Sequence, residues 1–296
     1  MYQELINILG KENVFTDEDM SKHTTFKAGG KAKYFVTPDS FERLSELIGF
    51  LKDKIDYYII GNGSNLLVKD EGYNGVIVKI GQKLSNITLD DKVMSCEAGA
   101  YVSKIANYAC ENSLSGLEFA AGIPGMLGGA VAMNAGAYGG EFKDIIMSVT
   151  LMDKYGNIVE KSNEKMKFGY RNSVVQEEDY IVLSAKLKLE AGNKDEISDR
   201  MNELLKQRRD KQPLEYPSAG STFKRPEGYF AGKLIMDAGL KGYSVGGACV
   251  SEKHCGFVVN KGNATAADII RLMKDVADKV EAEFGVRLEP EVKIIG

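Results

Sequence analysis

Tyr58-Ile-Ile-Gly-Asn-Gly-Ser-Asn-Leu-Leu-Val68 is the stretch on which the fold class turns. Apolar runs flank its centre on both sides. Glycine tolerates positive φ, so consecutive N–H groups at Gly61, Asn62 and Gly63 can point into one concavity and form an anion nest. Ser64 and Asn65 add side-chain donors. Gly61-x-Gly63 lacks the third glycine of a dinucleotide fingerprint and leads, through Leu66, into a β-type run where that fingerprint needs a helix. A doubly wound parallel fold is therefore disfavoured. The same residues also suit a plain hairpin turn, for which Asn-Gly is a common dipeptide.

A second stretch, Glu118-Phe-Ala-Ala-Gly-Ile-Pro-Gly-Met-Leu-Gly-Gly-Ala-Val-Ala-Met-Asn-Ala-Gly-Ala-Tyr-Gly-Gly140, carries seven glycines and one charged residue. An exposed linker would be more polar. An apolar glycine-rich segment suggests backbone pressed against a large flat body with N–H groups aimed at it. Tight helix-on-sheet packing is the alternative. Two such segments in one chain point to a soluble enzyme that holds a phosphate-bearing cofactor.

Around these segments the hydrophobic pattern changes period repeatedly. Tyr34–Thr37, Tyr57–Ile60, Leu66–Val68, Gly75–Ile80, Lys92–Glu97, Ile145–Met152 and Val292–Ile295 read as strands. Ile181, Leu183, Ala185, Leu187 and Leu189 alternate cleanly within Tyr180–Leu189. Helices are predicted at about Asp39–Lys52, Tyr101–Asn112, Asp195–Arg209 and Thr265–Phe284. Asp39 and Glu42 suggest a capping box for the first, and Gly285 a stop for the last. Irregular alternation of this kind indicates an α+β class with mixed sheets. The polar stretch Glu190–Glu196 is the natural separator before a final region.

The chain has 296 residues, 44% hydrophobic and 27% charged, which is ordinary globular composition. A net charge of -4 argues against general nucleic-acid binding. The four cysteines form no CxxC pair and the two histidines are isolated, so no disulfide framework or zinc site is expected. The N-terminus is too charged for a signal peptide, and no run of about 18 apolar residues predicts a membrane span. A reducing cytoplasm fits these features.

Several motifs now fall in a recognisable order. Thr25-Phe-Lys-Ala-Gly-Gly30, the Gly61–Asn65 turn, Gly122-Ile-Pro-Gly125, Asn134-Ala-Gly-Ala-Tyr138, Phe168-Gly-Tyr-Arg171, Gln212-Pro-Leu214, Pro217-Ser-Ala-Gly-Ser-Thr-Phe-Lys-Arg-Pro226 and Leu288-Glu-Pro-Glu-Val-Lys-Ile-Ile-Gly296 resemble the signatures of the UDP-N-acetylenolpyruvoylglucosamine reductase (MurB) family. The resemblance runs from about Asn13 to Gly296 and looks like the shorter family type, which lacks a substrate-covering insertion. It implies a PCMH-type FAD-binding fold of two α+β subdomains, residues 1–80 and 81–193, followed by a C-terminal α+β substrate-binding domain, residues 194–296. It also implies NADPH-dependent reduction of UDP-N-acetylglucosamine enolpyruvate to UDP-N-acetylmuramate through FAD, in peptidoglycan precursor synthesis. No nucleic acid, membrane insertion or protein partner is required for that activity.

The implied FAD contacts are Gly61, Asn62, Gly63, Ser64, Asn65, Leu66, Gly122, Ile123, Pro124, Gly128, Asn134, Ala135, Gly136 and Ala137. Hydride addition to the enol ether spreads negative charge onto the adjacent carboxylate, and a proton must then reach the neighbouring carbon. Arg171, permanently cationic and able to grip a carboxylate with two N–H groups, suits the first task. Ser221 and Glu291 are implied as proton donor and catalytic carboxylate. Ser218 and Thr222 compete with Ser221, and Glu289, in the same terminal motif, competes with Glu291. Tyr170, Lys224, Arg225, Tyr229, Lys241 and His254 are substrate-binding candidates. His23 reads as structural, and Arg208-Arg209 as the solvated end of a helix.

Overall fold

Ile181–Lys188 is the middle strand of a five-stranded antiparallel sheet, which explains why its alternation is so plain in the sequence. It pairs with Ile146–Met152 on one side and Val93–Glu97 on the other, while Ile158–Ser162 and Ile87–Asp90 form the edges. The middle strand buries Leu183, Ala185 and Leu187 and exposes Lys186 and Lys188. Helices Val102–Glu111 and Leu127–Ala132 add Ile105, Ala106, Ala109, Leu127, Ala130 and Val131 to the same core. Each fully buried Leu, Ile or Val contributes roughly 1.5–3 kcal/mol through removal of apolar surface from water.

Tyr57–Ile60 pairs in parallel with Tyr73–Lys79, and helix Phe41–Leu51 packs Leu44, Leu47, Ile48 and Leu51 into the core shared with these strands. That helix starts differently from the sequence expectation. Ser40, extended at φ −147°, is the N-cap and accepts the Arg43 N–H at 3.2 Å. Asp39 lies one residue too early to cap and instead pairs with the Arg43 guanidinium at 3.0 Å.

The structure is a computed structural model that describes all 296 residues. The chain divides into two compact units. The first comprises Met1–Phe15, Tyr34–Asn62 and Gly75–Arg208; the second comprises Thr16–Lys33, Gly63–Asn74 and Arg209–Gly296. Each has its own apolar cluster. The polar stretch Glu190–Glu196 lies inside the first unit. Its first two residues pair with Leu114–Ser115, and the helix Lys194–Lys211 places Ile197 and Met201 in the first core.

The second unit is organised on helix Ala266–Phe284, whose Ile269, Leu272, Met273, Val276 and Val280 form a buried stripe. Thr265 and Asp268 make a reciprocal capping box, and Gly285 ends the helix at φ 68°. The Asp70 carboxylate accepts the Ala266 and Ala267 N–H groups at 2.8 Å each, where the helix dipole favours an anion. A three-stranded antiparallel sheet, Ser244–Val245, Ala248–Val250 and Val258–Asn260, packs beside it. Lys293–Ile295 runs parallel to Leu66–Val68. Parallel pairings, Tyr57–Ile60 with Tyr73–Lys79 and Lys293–Ile295 with Leu66–Val68, occur alongside the antiparallel ones, the mixed pattern of an α+β fold. No helix is long and apolar enough to cross a membrane.

Candidate functional site

In the first unit the start of the first glycine-rich segment touches the second. The Asn62 side-chain amide donates to the Pro124 carbonyl at 2.6 Å, and the Tyr101 hydroxyl donates to Asn62 Oδ1 at 3.4 Å. A Cβ added to Gly61 would lie 3.2 Å from Met126 Cβ. The second segment is itself zipped to residues 98–102. Val102 N–H donates to Gly125 O, Leu127 N–H to Ala100 O and Gly128 N–H to Ala98 O, at 2.9–3.0 Å. Gly128 serves close packing, since a Cβ there would sit 3.1 Å from Ala98 Cβ. Gly129 and Gly139 differ: a Cβ on either would meet nothing within 4 Å, so the space beside their backbone is open. Ile123, Ala135, Gly136 and Ala137 are half-buried and Pro124 is exposed along the same run.

Asn134 ties this segment to the Phe168–Arg171 motif. It is buried, and at φ 43° it occupies the left-handed region. Its amide donates to Glu141 Oε2 at 2.9 Å and to Gly169 O at 3.1 Å, while its Oδ1 accepts the Lys143 N–H at 2.9 Å. The side chain is thus committed to protein partners, leaving backbone as what Asn134 can offer a ligand. The Lys143 ammonium, hydrogen-bonded to Glu141 at 2.8 Å, holds that carboxyl below its ordinary range, with Arg171 adding a smaller pull.

Arg171 also has a positive φ, 54°. For a long side chain this is strained backbone that neighbours must hold in place. Gly169 and Asn172 exchange backbone hydrogen bonds around it, and Gln176 donates to both Arg171 O and Ala132 O at 3.0 Å. Ser173 Oγ donates to Ala132 O at 2.8 Å. The turn bearing Arg171 is therefore bolted to the end of helix Leu127–Ala132. The Arg171 guanidinium lies 5.2 Å from the ring centre of Tyr170, which is exposed.

The second unit assembles the remaining candidates. Gly63 has φ 62°, and a Cβ there would fall 2.0 Å from the His23 carbonyl. Only glycine fits this turn. Asn65 donates its side-chain amide to Glu291 O, and its carbonyl accepts the Lys293 N–H, each at 3.0 Å. Leu66 then enters the strand beside Lys293–Ile295, with Ser64 half-buried before it. Glu291 N–H donates to Thr222 O and Lys224 N–H to Glu289 O, both at 2.8 Å, with a bridge at Phe223 and Pro290. Ser221 and Glu291 thus sit on neighbouring extended segments.

Thr222, the competitor of Ser221, is fully buried and its hydroxyl accepts the Val258 N–H at 2.8 Å, whereas Ser221 is exposed. Glu289, the competitor of Glu291, is exposed and paired with Lys224 at 3.1 Å. The loop Ser251–Gly256 adjoins, because Gly256 O accepts the Thr222 N–H at 2.9 Å. His254 Nδ1 accepts the Gly256 N–H at 3.1 Å, and its ring meets Phe257 edge-on at 5.0 Å. Arg225 donates to Tyr229 O and stacks over Phe230 at 4.0 Å; Tyr229 and Lys241 are exposed. His23 pairs with Glu18 at 3.0 Å, a structural contact. All four cysteines are buried thiols, and burial pushes Cys96 up to about 12, so none is poised as a nucleophile.

One residue was misread from sequence. Arg208 does not end a solvated helix. Its stem lies on the second glycine segment, where a Gly122 Cβ would meet its Cδ at 2.9 Å. The signal was its spacing from Ile197, Met201 and Leu204, the buried positions of its helix. Open space beside glycine backbone and a cation without a carboxylate both fit a flat, phosphate-bearing ligand such as FAD.

Comparison with known proteins agrees with this geometry. Residues 32–162 match the model of an FAD binding domain, and residues 212–295 match that of the UDP-N-acetylenolpyruvoylglucosamine reductase C-terminal domain. The chain is 52% identical to UDP-N-acetylenolpyruvoylglucosamine reductase of Clostridioides difficile (strain 630), over 100% of this chain and 98% of that protein. Among solved structures, the UDP-N-acetylenolpyruvylglucosamine reductase of Thermus caldophilus superposes with a TM-score of 0.82 at 36% identity, covering 94% of this chain and 98% of that one. A glucose dehydrogenase, Phl p 4.0202, shares the fold alone, with a TM-score of 0.51 at 14% identity over 64% of this chain and 44% of its own. The fold is the PCMH-type FAD-binding fold with α+β subdomains. Identity spread over the whole length, with both family models matched in order, means that the chain belongs to the UDP-N-acetylenolpyruvoylglucosamine reductase family.

Proposed function

We propose that the chain reduces UDP-N-acetylglucosamine enolpyruvate to UDP-N-acetylmuramate with electrons from NADPH, the step that completes the lactyl sugar of a peptidoglycan precursor. Bound FAD supplies the hydride relay between the two substrates. Its contacts are assigned to Gly61, Asn62, Gly63, Ser64, Asn65 and Leu66, and to Gly122, Ile123, Pro124, Gly128, Asn134, Ala135, Gly136 and Ala137. We assign residues 1–80 and 81–193 to the two FAD-binding subdomains and 194–296 to substrate binding. The activity belongs in the cytoplasm, where UDP-sugars and NADPH are made, and needs no protein partner.

Each chain residue has a distinct task. Arg171 grips the substrate carboxylate and stabilises the negative charge that develops there. Ser221 delivers a proton to the carbon beside that carboxylate. Glu291 is the catalytic carboxylate of the site, its backbone fixed by Thr222 and Asn65. Lys224, Arg225 and Lys241 provide cations for the diphosphate, with Tyr170, Tyr229 and His254 as polar or stacking partners. The observation that supports this reading is the backbone pairing of 222–224 with 289–291, which joins the extended segments that carry Ser221 and Glu291.

Stopped-flow absorbance tests it. The protein should be yellow, bleach on mixing with NADPH, and recover colour only when the enolpyruvyl sugar nucleotide is added. A folded, colourless preparation that takes up no FAD would sink the reading. Ser221→Ala should leave bleaching intact and slow recovery by about 10²-fold or more, the usual scale for loss of a positioned proton donor. Equal loss in both half-reactions would remove Ser221 from the proton-donor role.

A further inference from the structure

Glu141 has no part in the chemistry assigned above, yet it stands between the second glycine-rich segment and the strained turn that carries Arg171. It pairs with Gly136 across a short antiparallel ladder. A Cβ added to Gly136 would lie 2.7 Å from Glu141 Cγ, so the glutamate stem lies flush on bare backbone. Its Oε2 accepts the Asn134 amide at 2.9 Å and the Lys143 ammonium at 2.8 Å. The same Asn134 amide donates to Gly169 O at 3.1 Å, and Asn134 Oδ1 accepts the Lys143 N–H at 2.9 Å. Gly169 exchanges backbone hydrogen bonds with Asn172 around Tyr170 and Arg171. An unbroken chain of hydrogen bonds thus runs from Glu141, through a buried side chain, to the base of the Arg171 turn.

An asparagine amide can face two ways. Flipped, Asn134 would set its oxygen against the Gly169 carbonyl and its NH2 against the Lys143 N–H. An ionised carboxylate only accepts, so Glu141 selects the orientation that also holds Gly169. Charge adds a smaller contribution. The Lys143 hydrogen bond holds the Glu141 carboxyl below its ordinary range against the opposing effect of burial, and Arg171 is near enough to add to that pull. A fixed negative charge there restrains the guanidinium before any substrate carboxylate arrives. Arg171, at φ 54°, depends on such neighbours to stay in place.

We infer that Glu141 is a positioning residue for the reaction: acting through Asn134, and secondarily through its own charge, it sets where the Arg171 guanidinium stands. The inference rests on the role given to Arg171 above.

The test follows both half-reactions by stopped flow in wild type, Glu141→Ala, Glu141→Gln and Asp144→Ala, and in Arg171→Ala with and without Glu141→Ala. The nicotinamide of NADPH brings no carboxylate to Arg171, so flavin bleaching should keep its wild-type rate in both Glu141 variants. Reoxidation at saturating enolpyruvyl sugar nucleotide should slow about tenfold or more in Glu141→Ala, a scale that small misplacement of a reacting group reaches. Glu141→Gln keeps an acceptor for Asn134 and should recover most of that loss, the remaining deficit reporting the charge. Asp144 accepts the Glu141 N–H at 3.0 Å in a local cap and does not touch Asn134. Asp144→Ala should therefore melt lower and reoxidise like wild type. Once Arg171 is gone, removing Glu141 should cost little more, because its effect passes through the missing side chain.

Wild-type reoxidation in Glu141→Ala would overturn the inference. So would Glu141→Gln as slow as Glu141→Ala, bleaching slowed in step with reoxidation, or a full additional loss in the Arg171→Ala background. Equal slowing in Asp144→Ala and Glu141→Ala would reduce Glu141 to a structural cap and overturn it too. Wild-type reoxidation in Arg171→Ala would instead remove the role of Arg171 itself.

Discussion

His254 shows how a single side chain can be placed by its neighbours and still face solvent. The residue is exposed, its ring meets Phe257 edge-on, and Nδ1 accepts the Gly256 N–H. Burial lowers its pKa from 6.5, against a smaller opposite pull from its own backbone. The sign of the consequence follows from linkage. Below 6.5 the unfolded chain takes up a proton that the folded imidazole still refuses, so the histidine's contribution to stability is present above 6.5 and is lost as pH falls through the window beneath it. With two histidines in the chain, proton NMR should resolve two imidazole titrations. His254→Asn identifies its own resonance by removing it. The midpoint of that resonance should lie below 6.5, and one at or above 6.5 would refute the assignment of a desolvated neutral ring. Asn134 teaches the complementary lesson. Its motif was legible, but its partners are seven, nine and thirty-five residues away, so nothing local revealed that its side chain is spent on Glu141, Lys143 and Gly169.

Elements were legible where periodicity had length to express itself. Tyr57–Ile60 and Leu66–Val68 have the expected bounds, and helix Ala266–Phe284 differs from expectation by one residue at its capped start. Helix Leu127–Ala132 was not foreseen, because its sequence begins Leu-Gly-Gly and each interior glycine costs about 1 kcal/mol of helix propensity. Burial of Leu127, Ala130 and Val131 overrides that local preference. The short strands Ser244–Val245, Ala248–Val250 and Val258–Asn260 carry two or three residues each, too few to show a period. Helix Ala231–Asp237 did carry a signal, with Ala231, Leu234, Ile235 and Ala238 buried, but Gly232 obscured it. The turn Gly61–Asn65 is the first element of the proposed cofactor site, and Gly63 is its least replaceable residue. Gly63→Ala combines a positive φ with a Cβ falling on the His23 carbonyl. The variant should lose roughly 2–4 kcal/mol in urea unfolding, from backbone strain and displacement of Thr25 and His23. It should also purify with little flavin. Wild-type stability with full flavin content would show that the turn is not held as described.

At the scale of the whole molecule, the division into units could not be read along the chain. The second unit draws residues 16–33 and 63–74 to the C-terminal 209–296, and no linear pattern announces such a gathering. Glu190–Glu196 looked like a border because it is polar, yet Ile197 and Met201 carry the helix that follows into the first core. The consequence is that the two halves of one turn fall in different units, Gly61 and Asn62 in the first and Gly63 to Leu66 in the second. A ligand that binds only the native state stabilises it by RT ln(1 + [L]/Kd), about 2.7 kcal/mol at a hundredfold excess over Kd. That stabilisation appears as slowed amide exchange wherever local opening must break ligand contacts. Hydrogen exchange of the stripped protein with and without FAD should accordingly show new protection in Gly122–Ala137 of the first unit and in Gly63–Leu66 of the second. Helix Ala266–Phe284, held by its own cap and core stripe, should change little. Adding the enolpyruvyl sugar nucleotide to the FAD-bound protein should extend protection to the segments around Ser221, His254 and Glu291. Protection confined to the first unit on FAD binding would strip Gly63–Leu66 from the cofactor site. Substrate protection absent from residues 221–225 and 289–291 would separate Ser221 and Glu291 from the chemistry, leaving Arg171 as the remaining candidate of the three.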